Sequence, residues 1–288
     1  MLLFYQIVEV AVLLVIAFVY AIFDVFNNRN VPNLFVYFTL IIGLAVALIF
    51  NSGQLLLLDL GIAAIIALLG YLLYRFGFLG GGDALEFVFV SLVLPLQLEP
   101  LWSSTYQFNV PFIISVMIAA GYTALVFIPI YYLGLRRKAG EKAAPTMKNV
   151  ALGALFFAAY MIFLLVLKFT VGISLIGIGL ILILALVSSV TIIYEKRIYL
   201  GMVSFIYPKE LEEGDMIAVN LMSGGDIGAF NKKTRFGRLA TKKMISDIKG
   251  MKVKLPVYRD SVPFSLFIFI GIIISLLFGN LILAIVNL

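Results

Sequence analysis

Few residues in this chain are able to do chemistry, because it contains neither histidine nor cysteine. Disulfides, Cys/His zinc sites, a cysteine nucleophile and every Ser-His-Asp arrangement are thereby excluded. Acid–base work falls to Asp, Glu, Lys and Tyr. The stretch GFLGGGDALEF, residues 77–87, sets Gly80, Gly81 and Gly82 directly before Asp83, at the border of a long apolar run. A second aspartate, Asp24, closes the first apolar run. Carboxylates at such borders are costly and count as functional candidates by default. Two of them within a few ångströms cannot both ionise, so the pair shares a proton. The ionised member can then take a proton from water while the protonated member hydrogen-bonds a carbonyl. That hydrolysis needs no metal or cofactor, and none is expected here.

The elements that must position these residues are membrane spans. The chain has 288 residues, 63% of them hydrophobic and 12% charged, and its mean hydropathy is +1.14. A soluble domain would be nearer half apolar and a quarter charged. Apolar runs able to cross roughly 30 Å of hydrocarbon occur at about 2–24, 34–50, 55–76, 84–98, 112–134, 149–170, 172–194 and 263–286. The expected fold is an all-α polytopic membrane protein of about eight transmembrane helices. A small cytoplasmic, strand-containing module should lie between the last two spans. The first run lacks a basic flank and a small-residue cleavage site, so it reads as a span and not a cleavable signal.

Charge sets the orientation. Twenty of the 21 Lys and Arg residues fall at 25–33, after the third span, at 135–148 and at 195–262, leaving only Lys168 for the alternate loops. The basic side is expected to be cytoplasmic, with both termini outside. The net charge of +6 therefore reports topology in the lipid bilayer and does not call for a nucleic-acid partner. The chain divides into a membrane core at 1–134 holding both aspartates, a basic loop at 135–148, accessory spans at 149–194, the soluble module at 195–262 and a last span at 263–288. Within the module, MIAVNL (216–221) reads as a strand, EEGD and SGGD as turns, and TKKMISDIKGMKVK as a basic helix.

Depth separates the acidic residues. Glu9 and Asp59 sit near the outer ends of their spans, within reach of headgroups. Asp24 and Asp83 share one depth on the cytoplasmic side and would meet if spans one and four are neighbours. The three glycines permit positive φ and leave no side chain to keep an extended peptide from the backbone beside Asp83. The plainer alternative is a turn with Asp83 as a helix cap. Glu86, one turn beyond Asp83, could tune the pair or bind a basic peptide, or be simply interfacial. Arg29 could hold a carbonyl or a phosphate, or serve orientation alone. Asn33 reads as the cap of span two, and Tyr20 as an interfacial residue or a hydrogen-bond donor to Asp24. Any contact of the module with a basic peptide should use Glu210, Glu212, Glu213 or Asp215.

FDVFNNRNVPN (23–33), followed about sixty residues later by Gly80-Gly81-Gly82-Asp83, resembles the type IV prepilin peptidases. The archaeal preflagellin (prearchaellin) peptidases are the most similar branch of these G-x-G-D membrane aspartyl proteases. The resemblance lies in roughly the first ninety residues and is loose beyond about 135. It implies that Asp24 and Asp83 are catalytic. It also implies that the partners are pilin-like or archaellin precursors whose short basic leader is removed at the cytoplasmic face. Two features depart from the bacterial pattern. Leu85 stands where those members often carry Lys, and a chain without cysteine lacks their tetracysteine zinc loop and the methyltransferase activity that accompanies it. Two alternatives remain. A presenilin- or signal-peptide-peptidase-like enzyme would share the aspartates, but the last span opens with Pro263-Phe264-Ser265 and not Pro-Ala-Leu. A proton- or cation-coupled transporter would use Asp24 and Asp83 as ion sites.

Overall fold

The computed structural model describes residues 4–27, 31–94, 111–135, 144–231, 237–251, 253–259 and 262–281. Its first four helices are α1 (Phe4–Phe26), α2 (Asn33–Phe50), α3 (Gly53–Arg75) and α4 (Gly81–Val93). Three more follow, α5 (Phe112–Ile130), α6 (Met147–Thr170) and α7 (Leu175–Ile193). Apart from α4, these helices are long and apolar enough to cross a bilayer, which makes six candidate spans. The chain is thus an α-helical, multi-pass membrane protein. The runs expected at 84–98 and 263–286 extend past the described residues, which hold one short helix of each. Helix α4 has 13 residues, and the last helix of the bundle, α11 (Phe264–Phe278), has 15.

Helix α4 is short because protein, not lipid, surrounds it. It packs on α1, α2, α3, α5 and α11, and Ala84, Glu86, Phe87 and the whole run Phe89–Val93 are buried. A helix apolar on every side belongs in the middle of a bundle. Helix α11 is wedged between α1 and α5. It buries a stripe of Ser265, Phe267, Ile268, Gly271, Ile272, Ser275 and Leu276 at helical spacing. Its contact with α5 depends on Gly271, where a Cβ would lie 2.8 Å from the Ala120 nitrogen and 2.9 Å from the Val116 oxygen. Helix α6 is peripheral. It packs on α7, and Gly153 is its one buried residue.

Past α7 the chain turns into α8 (Glu195–Met202) and a small module. Strands β1 (Ser204–Ile206) and β2 (Leu255–Val257) pair antiparallel, with Phe205 opposite Pro256. Helices α9 (Gly224–Asn231) and α10 (Lys242–Ile248) pack with them around Ile206, Ile217, Phe230, Met244, Ile248, Leu255 and Val257. The strand expected over 216–221 is reduced to single bridges at Met216 and Ile217, followed by a 3-10 turn at Val219–Leu221. The SGGD stretch starts a helix instead of making a plain turn. The Ser223 hydroxyl accepts from the Asp226 N–H and donates to the Asp226 carboxylate at 2.7 Å, a reciprocal cap. Helix α10, capped by Thr241, takes up only Lys242–Ile248 of the basic helix expected over 241–254, and the chain turns out of it toward β2.

Candidate functional site

Asp24 ends the buried stripe of α1, in which Glu9, Leu13, Ala17, Tyr20 or Ala21, and Asp24 recur every three to four residues. Asp83 stands in the first turn of α4 and is half-buried, whereas Asp24 is 5% exposed. The two meet at Ser265, in the first turn of α11. The Ser265 backbone N–H donates to Asp24 Oδ2 at 3.0 Å, and the Ser265 hydroxyl lies 3.2 Å from Asp83 Oδ1. This N–H is free to do so because the first four N–H groups of a helix have no partner within it. The Gly80 backbone also lies against the Asp83 carboxylate, near enough that a Cβ there would meet Oδ2. Three helices distant in sequence therefore converge on two carboxylates, and one fully buried serine joins them.

The glycines act through space more than through backbone freedom. None of the three has positive φ; that conformation falls on Gly77 (φ 69°). Gly80 caps α4 in extended conformation, and Gly81 and Gly82 belong to its first turn, so Asp83 lies three residues inside the cap and is not the cap itself. A Cβ on Gly80 would lie 2.6 Å from Asp83 Oδ2, and one on Gly81 would lie 3.4 Å from the Tyr74 ring. Glycine at position 80 is what lets the Asp83 carboxylate fold back against the start of α4. The soluble module rests against the connection leading to them. The Arg238 guanidinium stacks 5.2 Å from the Phe78 ring.

The remaining expected residues divide. Glu86 joins the cluster: it is 0% exposed, beside Ser265 and close enough to Asp83 and Asp24 to interact electrostatically. It is buried and not interfacial. Tyr20 is also buried, and it turns away from Asp24. Thr39 Oγ1 donates to the Val36 carbonyl at 2.8 Å, so Tyr20 donates to Thr39 at 2.7 Å. The reason is packing. The Tyr20 ring stacks edge-on against Phe35 and aims its hydroxyl at α2. Asn33 is the first residue of α2, with Pro32 in the cap position and no side-chain cap bond. Arg29 lies outside the described residues.

Glu9 and Asp59, expected to reach headgroups, are instead buried in the bundle. They are 4% and 2% exposed and interact electrostatically. Asn51 Nδ2 donates to Asp59 Oδ2 at 2.6 Å, while Asp59 Oδ1 is buried without a partner. Asp24 and Glu9 thus mark the two ends of one stripe, about 22 Å apart at 1.5 Å per residue. Neutralising one member of this outer pair relieves repulsion. Glu9→Gln is expected to raise the melting temperature of the detergent-solubilised chain by about 2–4 °C, the shift that roughly 1 kcal/mol gives at this size. A fall of that size would mean that both charges are needed.

Sequence reasoning missed Ser265. A serine two residues after a proline at the start of an apolar run signals a helix start and nothing more. The one available hint was that this run opens with a polar residue on what became its buried face. No protein-family model matches the chain, and no curated protein or solved structure matches it.

Proposed function

We propose that this protein is a membrane aspartyl endopeptidase of the type IV prepilin peptidase kind, closest to the archaeal preflagellin branch. It would remove short basic leaders from pilin-like or archaellin precursors. The observation that carries the reading is the convergence of Asp24 and Asp83 on Ser265. The charge distribution supports eight crossings, with this cluster and the soluble module on the cytoplasmic side and both termini outside.

The chemistry follows from the bonds. Ser265 holds one oxygen of each aspartate, and the pair, sharing one proton, would act on a water molecule and a peptide carbonyl. The ionised carboxylate takes a proton as the water oxygen bonds to the carbonyl carbon. The protonated one donates to the carbonyl oxygen. Collapse of the tetrahedral adduct breaks the C–N bond: the carboxylic acid gives its proton to the leaving amine, while the ionised carboxylate takes one back from a hydroxyl of the adduct as the C=O bond re-forms. The pair ends with one shared proton, as it began. The glycines at 80–82 leave the peptide room to lie extended beside Asp83.

The test is cleavage of a tagged pilin or archaellin precursor in membranes, followed by gel shift. Wild type and Asp59→Asn are expected to cleave, whereas Asp24→Asn and Asp83→Asn are not. Cleavage that survives either of the latter would end the aspartyl mechanism. Ser265→Ala keeps the backbone bond to Asp24 and loses the hydroxyl bond to Asp83. A single hydrogen bond to a charged group then sets an expected fall in kcat of about 10- to 100-fold, checked by initial rates with KM measured in parallel. One observation favours a second reading: carboxylate clusters at both ends of the α1 stripe suit an ion path. Proton uptake by proteoliposomes in the absence of any peptide would support that reading.

A further inference from the structure

The soluble module holds the chain where it leads into α4 and where it leads into α11. The lead into α4 is the turn that ends α3. There the Phe78 N–H donates to the Leu73 carbonyl and the Gly77 N–H to that of Tyr74, both at 2.9 Å, with Gly77 at φ 69°. Leu79 packs against the core of the bundle, while Phe78 stays 67% exposed. The outer side of this turn meets Arg238. Its guanidinium lies 5.2 Å from the Phe78 ring, and its Cβ is 3.2 Å from where a Cβ on Gly77 would stand. The Arg238 backbone belongs to the module. Its carbonyl accepts from the Ile217 N–H at 2.7 Å, Leu239 bridges to Met216, and the Ala240 N–H donates to the Asp215 carbonyl at 2.9 Å. The same segment, 215–217, holds the other lead. Arg259 Nη2 donates to Asp215 Oδ2 at 2.7 Å and to the Glu210 carbonyl at 2.8 Å, and the Tyr258 N–H donates to the Met216 carbonyl at 2.9 Å. Phe78 stands five residues before Asp83, and Arg259 six before Ser265. One short segment thus anchors the approaches to two helices whose first turns meet between the Ser265 hydroxyl and Asp83 Oδ1.

We infer that the soluble module is a clamp on the aspartate pair, with Arg238 and Arg259 as its positioning residues. Arg238 acts through the turn at Gly77 and Phe78, which sets where α4 starts and so where Asp83 lies. Arg259 acts through the chain into α11, which sets where Ser265 lies. Because both arms spring from residues 215–217, movement of the module shifts the two leads together, and loosening of either arm lets them drift apart. The inference rests on the endopeptidase reading for its effect on rate, but not for the clamp itself.

Hydrogen–deuterium exchange on the full-length chain in detergent tests the clamp without any substrate. Arg238→Ala is expected to speed exchange of the amides at 77–83 by about 2- to 5-fold, the factor an exposed cation–π contact gives. Arg259→Ala is expected to speed exchange at 262–268 by about tenfold, as loss of a charged hydrogen bond gives. Exchange in the peripheral helix α6 should not change in either. In precursor cleavage each variant is expected to lower kcat by a similar factor with KM held. Lys242→Ala, which removes an exposed lysine of the same module that pairs with Glu213 at 3.4 Å, should alter neither. The chain has no cysteine, so Phe78→Cys combined with Arg238→Cys can be joined by a short reducible cross-linker. Joining them should restore the kcat that the open double variant has lost, and reduction should remove it again. Unchanged exchange at 77–83 in Arg238→Ala, wild-type kcat in both arginine variants, or a joined chain slower than the reduced one would each overturn the inference. If the wild type cleaves no precursor, the endopeptidase reading fails, and the exchange rates alone decide the clamp.

Discussion

Asp83→Asn is expected to slow precursor cleavage by about four orders of magnitude, and Asp24→Asn by a similar factor. Asparagine matches the shape of aspartate and still accepts hydrogen bonds. The Ser265 hydroxyl keeps a partner at position 83, and the Ser265 N–H keeps one at position 24. Folding should therefore be spared and the melting temperature hold within a few degrees. What is lost is the ability to carry a proton. Because the two carboxylates pass one proton between them, either variant removes the whole device. The double variant should then be no slower than the worse single one. Independent contributions would instead multiply to about eight orders of magnitude. A coupled pair also gives a bell-shaped dependence of rate on pH, whose two limbs belong to the pair and not to either residue. Activity in Asp83→Asn within tenfold of wild type would show that water is activated elsewhere.

The sequence made legible what the bilayer and charge dictate. An apolar run must be helical to cross lipid, because no water is there to satisfy its backbone. For that reason α1, α2, α3, α5, α6 and α7 fall where the runs lie. The brevity of α4 was legible in part, because the second and fourth apolar runs are short; its enclosure was not. Apart from Glu86, Ser91 and Gln97, residues 84–98 are apolar, and composition does not distinguish a helix that faces lipid from one enclosed by other helices. The same ambiguity hid the outer pair. Glu9 and Asp59 each sit where a lone carboxylate could reach water, and only packing buries them. Asp24 and Asp83 were legible because both close or open a span at one depth. Ser265 was not, since it lies 241 residues from Asp24 and its contribution to Asp24 is a backbone N–H that any residue but proline carries. The SGGD stretch shows a local limit. Ser-Gly-Gly-Asp is compatible with a turn or a capped helix start, and the burial of Phe230 in the module core favours the helix.

Gly271→Ala is expected to be the most damaging single-methyl change in the bundle. The added Cβ would lie 2.8 Å from the Ala120 nitrogen, 2.9 Å from the Val116 oxygen and 3.0 Å from the Ala120 Cβ. Two of these are backbone atoms of α5, which cannot move aside as the end of a flexible side chain would. Helices α5 and α11 must separate, at a cost of about 1–3 kcal/mol for overpacking of this kind. The melting temperature should fall by roughly 2–10 °C. Activity should fall further than stability. Ser265 stands six residues before Gly271, about 9 Å along the helix, and carries both bonds to the aspartates. A displacement near 1 Å at a catalytic group costs on the order of 100-fold in rate, so cleavage should drop by that factor even well below the melting temperature. Gly61→Ala is the matched control. Nothing lies within 4 Å of a Cβ there, and alanine is the better helix former by about 1 kcal/mol, so stability and cleavage should hold or rise. Suppose Gly271→Ala melted lower yet cleaved normally when cold. Ser265 would then tolerate movement of α11, and the aspartates would be held mainly by α1 and α4. Loss of cleavage in the cold, with the fold intact, would place the assembly of the pair in the contact between α11 and α5.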